Sequence, residues 1–215
     1  DYGDLAVGCL AWFQVTGDGR WLEFAFDLLA TIEARFAHPD AGFYQTPIEG
    51  EAPLGRKVEV MDSVEPSGNA ATLRALQIAA ALAGSRTFAE RVHDTLKAYD
   101  SILRQAGGSM CGWLDVLLKE HAPIRELVVA GSWAQTEKKL LLEAGSEGLA
   151  PWVVMTPVES GGPSSEVARL LPTTVGKTAS EEGSPLAFVC EFGQCQAPTT
   201  SPETVREQLR VGWRL

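Results

Sequence analysis

Residues 20–37 read Arg20-Trp21-Leu22-Glu23-Phe24-Ala25-Phe26-Asp27-Leu28-Leu29-Ala30-Thr31-Ile32-Glu33-Ala34-Arg35-Phe36-Ala37, and this stretch decides the fold class. Trp21, Phe24, Ala25, Leu28, Leu29, Ile32 and Phe36 recur at helical spacing, with Glu23, Asp27, Glu33 and Arg35 between them, so the segment is an amphipathic helix with one buried stripe. Upstream, Leu5, Cys9, Trp12 and Phe13 mark another helix, and the turn Thr16-Gly17-Asp18-Gly19 is short enough to make the two antiparallel neighbours. The plan repeats downstream. Residues 67–83 are rich in Ala and Leu, with Leu73, Leu76 and Ala80 on one side. After Gly84, Thr87 and Glu90 form a capping box for a helix carrying Phe88, Val92, Leu96, Tyr99 and Leu103. Gly107-Gly108 then releases the chain into a fifth helix over 109–120, with Met110, Trp113, Leu114, Leu117 and Leu118 as its apolar face.

Beyond Pro123 the period changes. Leu127-Val128-Val129-Ala130-Gly131 is a short buried strand, and Ser132 with Gln135 makes a capping box for a helix over 134–144. Trp152-Val153-Val154-Met155 and Leu186-Ala187-Phe188-Val189-Cys190 are two more strands, separated by a Gly/Ser/Pro-rich stretch at 160–165 and an irregular 172–185. Ser201, Pro202 and Glu203 start a final helix over 203–210. The chain is therefore expected to be mainly α, with helical hairpins over 1–121 and a small α/β subdomain over 122–215.

With 18 Lys and Arg against 28 Asp and Glu, the formal charge is −10, and neither half carries a basic cluster. Nucleic acid and anionic membrane surfaces both require one, so neither is an expected partner. No apolar run approaches the ~18 residues of a membrane span. Four dispersed cysteines do not form a secreted disulfide framework, which favours a reducing, cytoplasmic setting. The chain opens on Asp1-Tyr2-Gly3-Asp4 inside a helical pattern and is read as the later part of a longer protein.

Polar chemistry concentrates between the two hairpins, in Gly42-Phe43-Tyr44-Gln45-Thr46 and in the run from Arg56 to Asn69. Asp62 with Glu59 or Glu65 offers paired carboxylates. Arg56 or Lys57 offers the cation that would separate their pKa values. Ser67 and Asn69, the chain's only Asn, stand where a helix begins and its free N–H groups point outward. The competing reading is a solvated loop in which Ser67 caps the next helix. Trp12 and Tyr44, near helix ends, are the aromatics placed to stack on a ligand.

Three other features carry less. Cys190 and Cys195 flank Glu191-Phe192-Gly193-Gln194 without redox C-x-x-C or zinc spacing, so a structural turn with two thiols is expected ahead of a reversible disulfide or a metal site. His38 and His121 read as helix-end caps and His93 as a surface residue. Val175-Gly176-Lys177-Thr178 has the end of a phosphate-binding loop, but Leu171 stands where its first Gly is required.

Taken in order, Asp1-Tyr2, Arg20-Trp21-Leu22, Gly42-Phe43-Tyr44, Arg56-Lys57…Asp62…Pro66-Ser67-Gly68-Asn69, Val128-Val129-Ala130-Gly131 and Cys190-Glu191-Phe192…Cys195…Ala197-Pro198 resemble the C-terminal part of thioredoxin-domain-containing proteins similar to spermatogenesis-associated protein 20. The resemblance implies a partial (α/α) toroid of the six-hairpin glycosidase type, similar to acylglucosamine epimerases, with an N-terminal thioredoxin-like domain of the same protein as a partner. It places Asp1, Tyr2, Lys57, Asp62, Ser67, Gly68 and Asn69 at a central pocket. Ser63, Val64 and Ala70 depart from the family pattern, which commonly has Gly, Ala and Ser at these positions.

The implied function is a carbohydrate-active domain, epimerase-like or glycosidase-like, with a sugar as ligand and no cofactor or metal. Asp62, Asp1 and Glu59 are the candidate catalytic groups, and Lys57, Ser67, Asn69, Tyr2 and Tyr44 the candidate substrate contacts. The alternative is a non-catalytic helical scaffold that positions the thioredoxin-like domain or another protein. Redox work by Cys190 and Cys195 is a third reading.

Overall fold

A computed structural model describes residues 1–122, 124–147, 153–191 and 193–210. About 54% of it is helical, with a small mixed sheet of four strands. The chain divides into two compact units. The first comprises Asp1–Leu10, Glu23–Ala80 and Ser85–His121, and the second Ala11–Leu22, Ala81–Gly84 and Ala122–Leu215.

The expected helices form: α1 Tyr2–Thr16, α2 Gly19–Phe36, α3 Gly68–Ala83, α4 Arg86–Ala98, α5 Asp100–Ala106 and α6 Cys111–Glu120. In the first unit Ala25, Leu28, Leu29 and Ile32 of α2 are buried, as are Leu73, Leu76 and Ala79 of α3, Val92 and Leu96 of α4, and Trp113 and Val116 of α6. Burying a full-sized apolar side chain contributes roughly 1.5–3 kcal/mol, so these stripes supply the driving force for the bundle. Polar clasps fix its register. Gln77 donates to the Val116 carbonyl at 3.1 Å, and Arg91 meets Glu33 at 3.2 Å.

Three local expectations are corrected. Ser85, not Thr87, caps α4, its hydroxyl accepting the Phe88 N–H. The long helix expected through Leu103 breaks at Tyr99, whose ring packs against Trp113 at 5.2 Å and whose hydroxyl reaches the Ala41 carbonyl. The buried face of α6 is Trp113, Val116 and Lys119, while Leu114 and Leu118 are exposed. Lys119 is tolerated because its alkyl stem packs while its ammonium meets Asp115 at 2.6 Å.

The second unit holds β1 Arg125–Ala130, α7 Thr136–Ser146, β2 Val153–Val158, α8 Ser165–Leu170, β3 Leu186–Glu191, β4 Gln194–Cys195 and α9 Pro202–Leu209. The sheet order is β2-β1-β3-β4, with β1 parallel to β2 and antiparallel to β3. Leu127, Val129, Ala187 and Val189 pack on Leu141 and Ala144 of α7 and Val205 of α9. Glu126, Val128 and Ala130 alternate with these residues onto the other face. The edge strand β2 is blunted where Met155 N–H bonds the Gln14 side chain at 3.0 Å. The turn after α1 passes so close to β2 that a Cβ on Gly17, at φ +70°, would sit 2.5 Å from the Pro157 carbonyl oxygen.

The structure adds α8, capped by Ser164, and the two-residue β4 to the elements read from sequence. Ser132 and Gln135 do bond each other's region, Ser132 N–H to the Gln135 side chain at 3.0 Å, but they close a turn ahead of α7 rather than cap it. Cys190 and Cys195 are joined in a disulfide, which corrects the expectation of two free thiols. They are register partners across β3 and β4, and that pairing, invisible in their spacing, brings them together. Trp152, expected to begin β2, lies outside the described residues, as do Pro123 and Phe192.

Candidate functional site

The first unit contains a concavity of about 890 Å³ between the start of α1, the end of α2, the loop over 37–67 and the start of α3. Asp1, Tyr2, Tyr44, Glu59, Asp62, Ser67 and Asn69 all line it. Lys57 does not: its side chain is exposed, and its carbonyl accepts the Gln45 N–H at 2.8 Å. The lining also includes Asp4, Arg35, Phe36 and Glu65. In the sequence Arg35 and Phe36 show only as part of the amphipathic α2. Their position in its last turn, directly before the loop, was the available signal.

The loop is held by a small number of polar side chains. Asn69 is 3% exposed and clasps two stretches of backbone at once. Its Oδ1 accepts the Phe43 N–H at 2.8 Å, and its Nδ2 donates to the Phe43 and Glu59 carbonyls at 2.9 and 2.8 Å. Gly42 turns beside it at φ +78°, where a Cβ would lie 3.0 Å from Asn69 Oδ1. Arg56 donates to the Thr46 and Arg35 carbonyls and lays its guanidinium 3.9 Å from the centroid of the Tyr44 ring. One aromatic face is thereby already used.

Asp62 and Ser67 tie the helix starts together. Asp62 Oδ1 accepts the Ser67 N–H at 2.9 Å and Oδ2 the Gly112 N–H at 2.7 Å. The Ser67 hydroxyl accepts from Ala70 N–H and from Trp113 Nε1 at 3.1 Å. Gly112 is obligatory here, since a Cβ would lie 2.8 Å from that of Ala70. Asp62, Ser67 and Asn69 are therefore fixed to the backbone, each with main-chain partners of its own.

The less committed groups are at the rim. Glu59 is exposed and, among the described residues, its carboxylate accepts a bond from Met61 N–H in its own loop, at 3.2 Å. Asp1 is exposed and its amino group meets Asp4 at 3.3 Å. Tyr2 packs on Phe36 with ring centroids 5.3 Å apart. The site thus presents carboxylates and aromatic edges to solvent over a rigid floor, an arrangement that can accept hydroxyl protons and cover an apolar ring face.

Trp12 belongs to the second unit, where it packs edge-on to Trp21 at 6.5 Å, and it does not line the cavity. The His38 ring accepts from the Asp40 N–H at 3.1 Å and so shapes the loop rather than capping α2. His121 is the C-cap of α6, and His93 is exposed beside Glu120. Among the described residues no cluster of His, Cys, Asp and Glu is arranged to hold a metal ion, and no helix is long and apolar enough to cross a membrane.

No family model matches the chain. It is similar to spermatogenesis-associated protein 20 from Homo sapiens, at 25% identity over 97% of this chain, and to the Mus musculus protein of the same name, at 24% over 97%. The chain spans 27% and 26% of the lengths of these two relatives, about a quarter of each.

Proposed function

We propose that the concavity of the first unit is a carbohydrate-active site, epimerase-like or glycosidase-like, and that the hairpins around it are an arc of an (α/α) toroid. The observation that carries this reading is the gathering of Asp1, Glu59 and Asp62 with Tyr2 and Tyr44 around one ligand-sized cavity. In it, Asp62 is the oriented carboxylate, held by two backbone N–H groups. Glu59 is the solvent-facing partner that exchanges protons, and Tyr2 and Tyr44 bound the sugar ring. Acid/base work on a sugar needs such a pair. Following the resemblance carried by the sequence motifs, we propose a cytoplasmic setting and an N-terminal thioredoxin-like domain of the same protein as partner.

A second reading is a scaffold, favoured by the use of Asp62, Ser67 and Asn69 as backbone clasps. Proton NMR of glucose and N-acetylglucosamine incubated with the chain separates the two. Epimerisation or cleavage that Glu59→Gln abolishes, with its melting temperature unchanged, supports the carbohydrate reading. No conversion and no binding of either sugar leaves the scaffold.

A further inference from the structure

One face of the small sheet carries an unusual row. The register sets Glu126 of β1 opposite Cys190 of β3, and Cys190 opposite Cys195 of β4. Directly paired residues of antiparallel strands share a face, with Cβ atoms about 5 Å apart. Cys190 is 2% exposed and Glu126 7%, whereas Cys195 is open to solvent on the edge strand. The groups facing Glu126 are Lys177, 3.9 Å away, and the Thr173 hydroxyl, which donates to it. Lys177 also donates to the Thr173 carbonyl. The β2 partner of Glu126, Val154, is apolar, and the nearby charges Arg125 and Glu191 pair with each other at 3.3 Å.

A buried carboxyl and ammonium on the face of a disulfide have no part in the cavity chemistry of the first unit. Burial lifts the Glu126 carboxyl above its ordinary value and lowers the Lys177 ammonium, each against the pull of the other. As an ion pair or as a neutral pair they hold a transferable proton. Disulfide exchange begins with a thiolate attacking the accessible sulfur, and its rate depends on how readily the other sulfur leaves. A thiolate released into an apolar interior leaves poorly unless it is protonated as it forms.

We infer that the Cys190–Cys195 bond is a two-electron acceptor for dithiols, in which Cys195 is attacked and Cys190 leaves with a proton supplied by the Glu126–Lys177 pair. A thiolate of the dithiol bonds to the Cys195 sulfur as the Sγ–Sγ bond breaks, and Cys190 departs as a thiol. The second thiol of the reductant, deprotonated, attacks its own mixed-disulfide sulfur and releases Cys195, which takes a proton from water. The dithiol is oxidised to a disulfide, both cysteines end as thiols, and solvent returns the proton to the pair.

The test uses the intact chain purified without reductant, with dithiothreitol as the dithiol. Thiols gained beyond Cys9 and Cys111 are counted by alkylation and mass spectrometry, and rates are corrected for the thiolate fraction of the reagent. Two new thiols should appear while the native circular dichroism persists, and the corrected rate should fall at least about tenfold as rising pH removes the internal proton. Glu126→Gln and Lys177→Met together should flatten that profile, Glu126→Asp alone should keep it, and glutathione should leave its mixed disulfide on Cys195. Cys190 and Cys195 free before reduction, reduction only at the rate of unfolding, glutathione on Cys190, or a double-variant profile like that of the parent would each overturn the inference. Should the double variant not fold, the parent profile decides: falling supports the inference and flat overturns it.

Discussion

Replacing Asn69 by Ala removes three hydrogen bonds and leaves the Phe43 N–H, the Phe43 carbonyl and the Glu59 carbonyl facing a void. Each bond is worth about 1 kcal/mol net, and an abandoned buried partner costs about 1–3 kcal/mol. Asn69 is 3% exposed, Phe43 is buried with it and Gly42 packs against it, so the Phe43 groups it abandons are buried ones. The expected loss is about 3–5 kcal/mol, which for a chain of this length lowers the melting temperature by roughly 10 °C. Urea denaturation followed by tryptophan fluorescence measures it as a shift in midpoint. Asn69→Asp should cost as much, because a carboxylate would face two carbonyls. A loss below about 1 kcal/mol for either variant would refute the assignment of Asn69 as the loop's clasp.

Burial holds Lys138 at about 8 against an ordinary 10.5, so between those values the unfolded chain binds more protons and stability rises with pH, by about 3 kcal/mol at most. Its ammonium is bonded to the Gly131 and Val158 carbonyls, and Lys138→Met should erase that slope in chemical denaturation followed against pH; an unchanged slope would exclude the buried ammonium. Taking the difference between parent and variant cancels Tyr99 and Cys9, whose raised values act in the opposite sense. Gly112→Ala should destabilise by about 1–3 kcal/mol, since the new methyl meets Ala70, and a neutral result would mean α3 and α6 do not approach as described. Trp113→Phe deletes the indole bond to Ser67 and should cost about 1 kcal/mol in the same assay.

The helical hairpins were legible because the stripes of α2 and α3 are long enough to display a period of 3.6 residues. Tyr99 was not legible as a helix break. No Gly or Pro marks it, and the turn follows from packing on Trp113. The face of α6 was read a step out of register because Leu114 and Leu118 outrank Lys119 in hydrophobicity, while the structure buries the lysine stem and pairs its head with Asp115. Six-residue α8 is too short to show a period, although its Ser164 cap was present in the sequence. The polar loop stands out in the sequence, but a side chain that binds backbone and one that binds a ligand look alike there. Asn69 differs from Glu59 only in what the fold brings to it.

The most direct test of a sugar site in the first unit is an NMR titration of isotope-labelled chain with N-acetylglucosamine and with glucose. The account predicts saturable shifts for one of them, confined to Tyr2, Tyr44, Gln45 and Glu59 around the concavity and lost in Glu59→Gln. Shifts absent for both sugars, or lying away from the concavity, would contradict it.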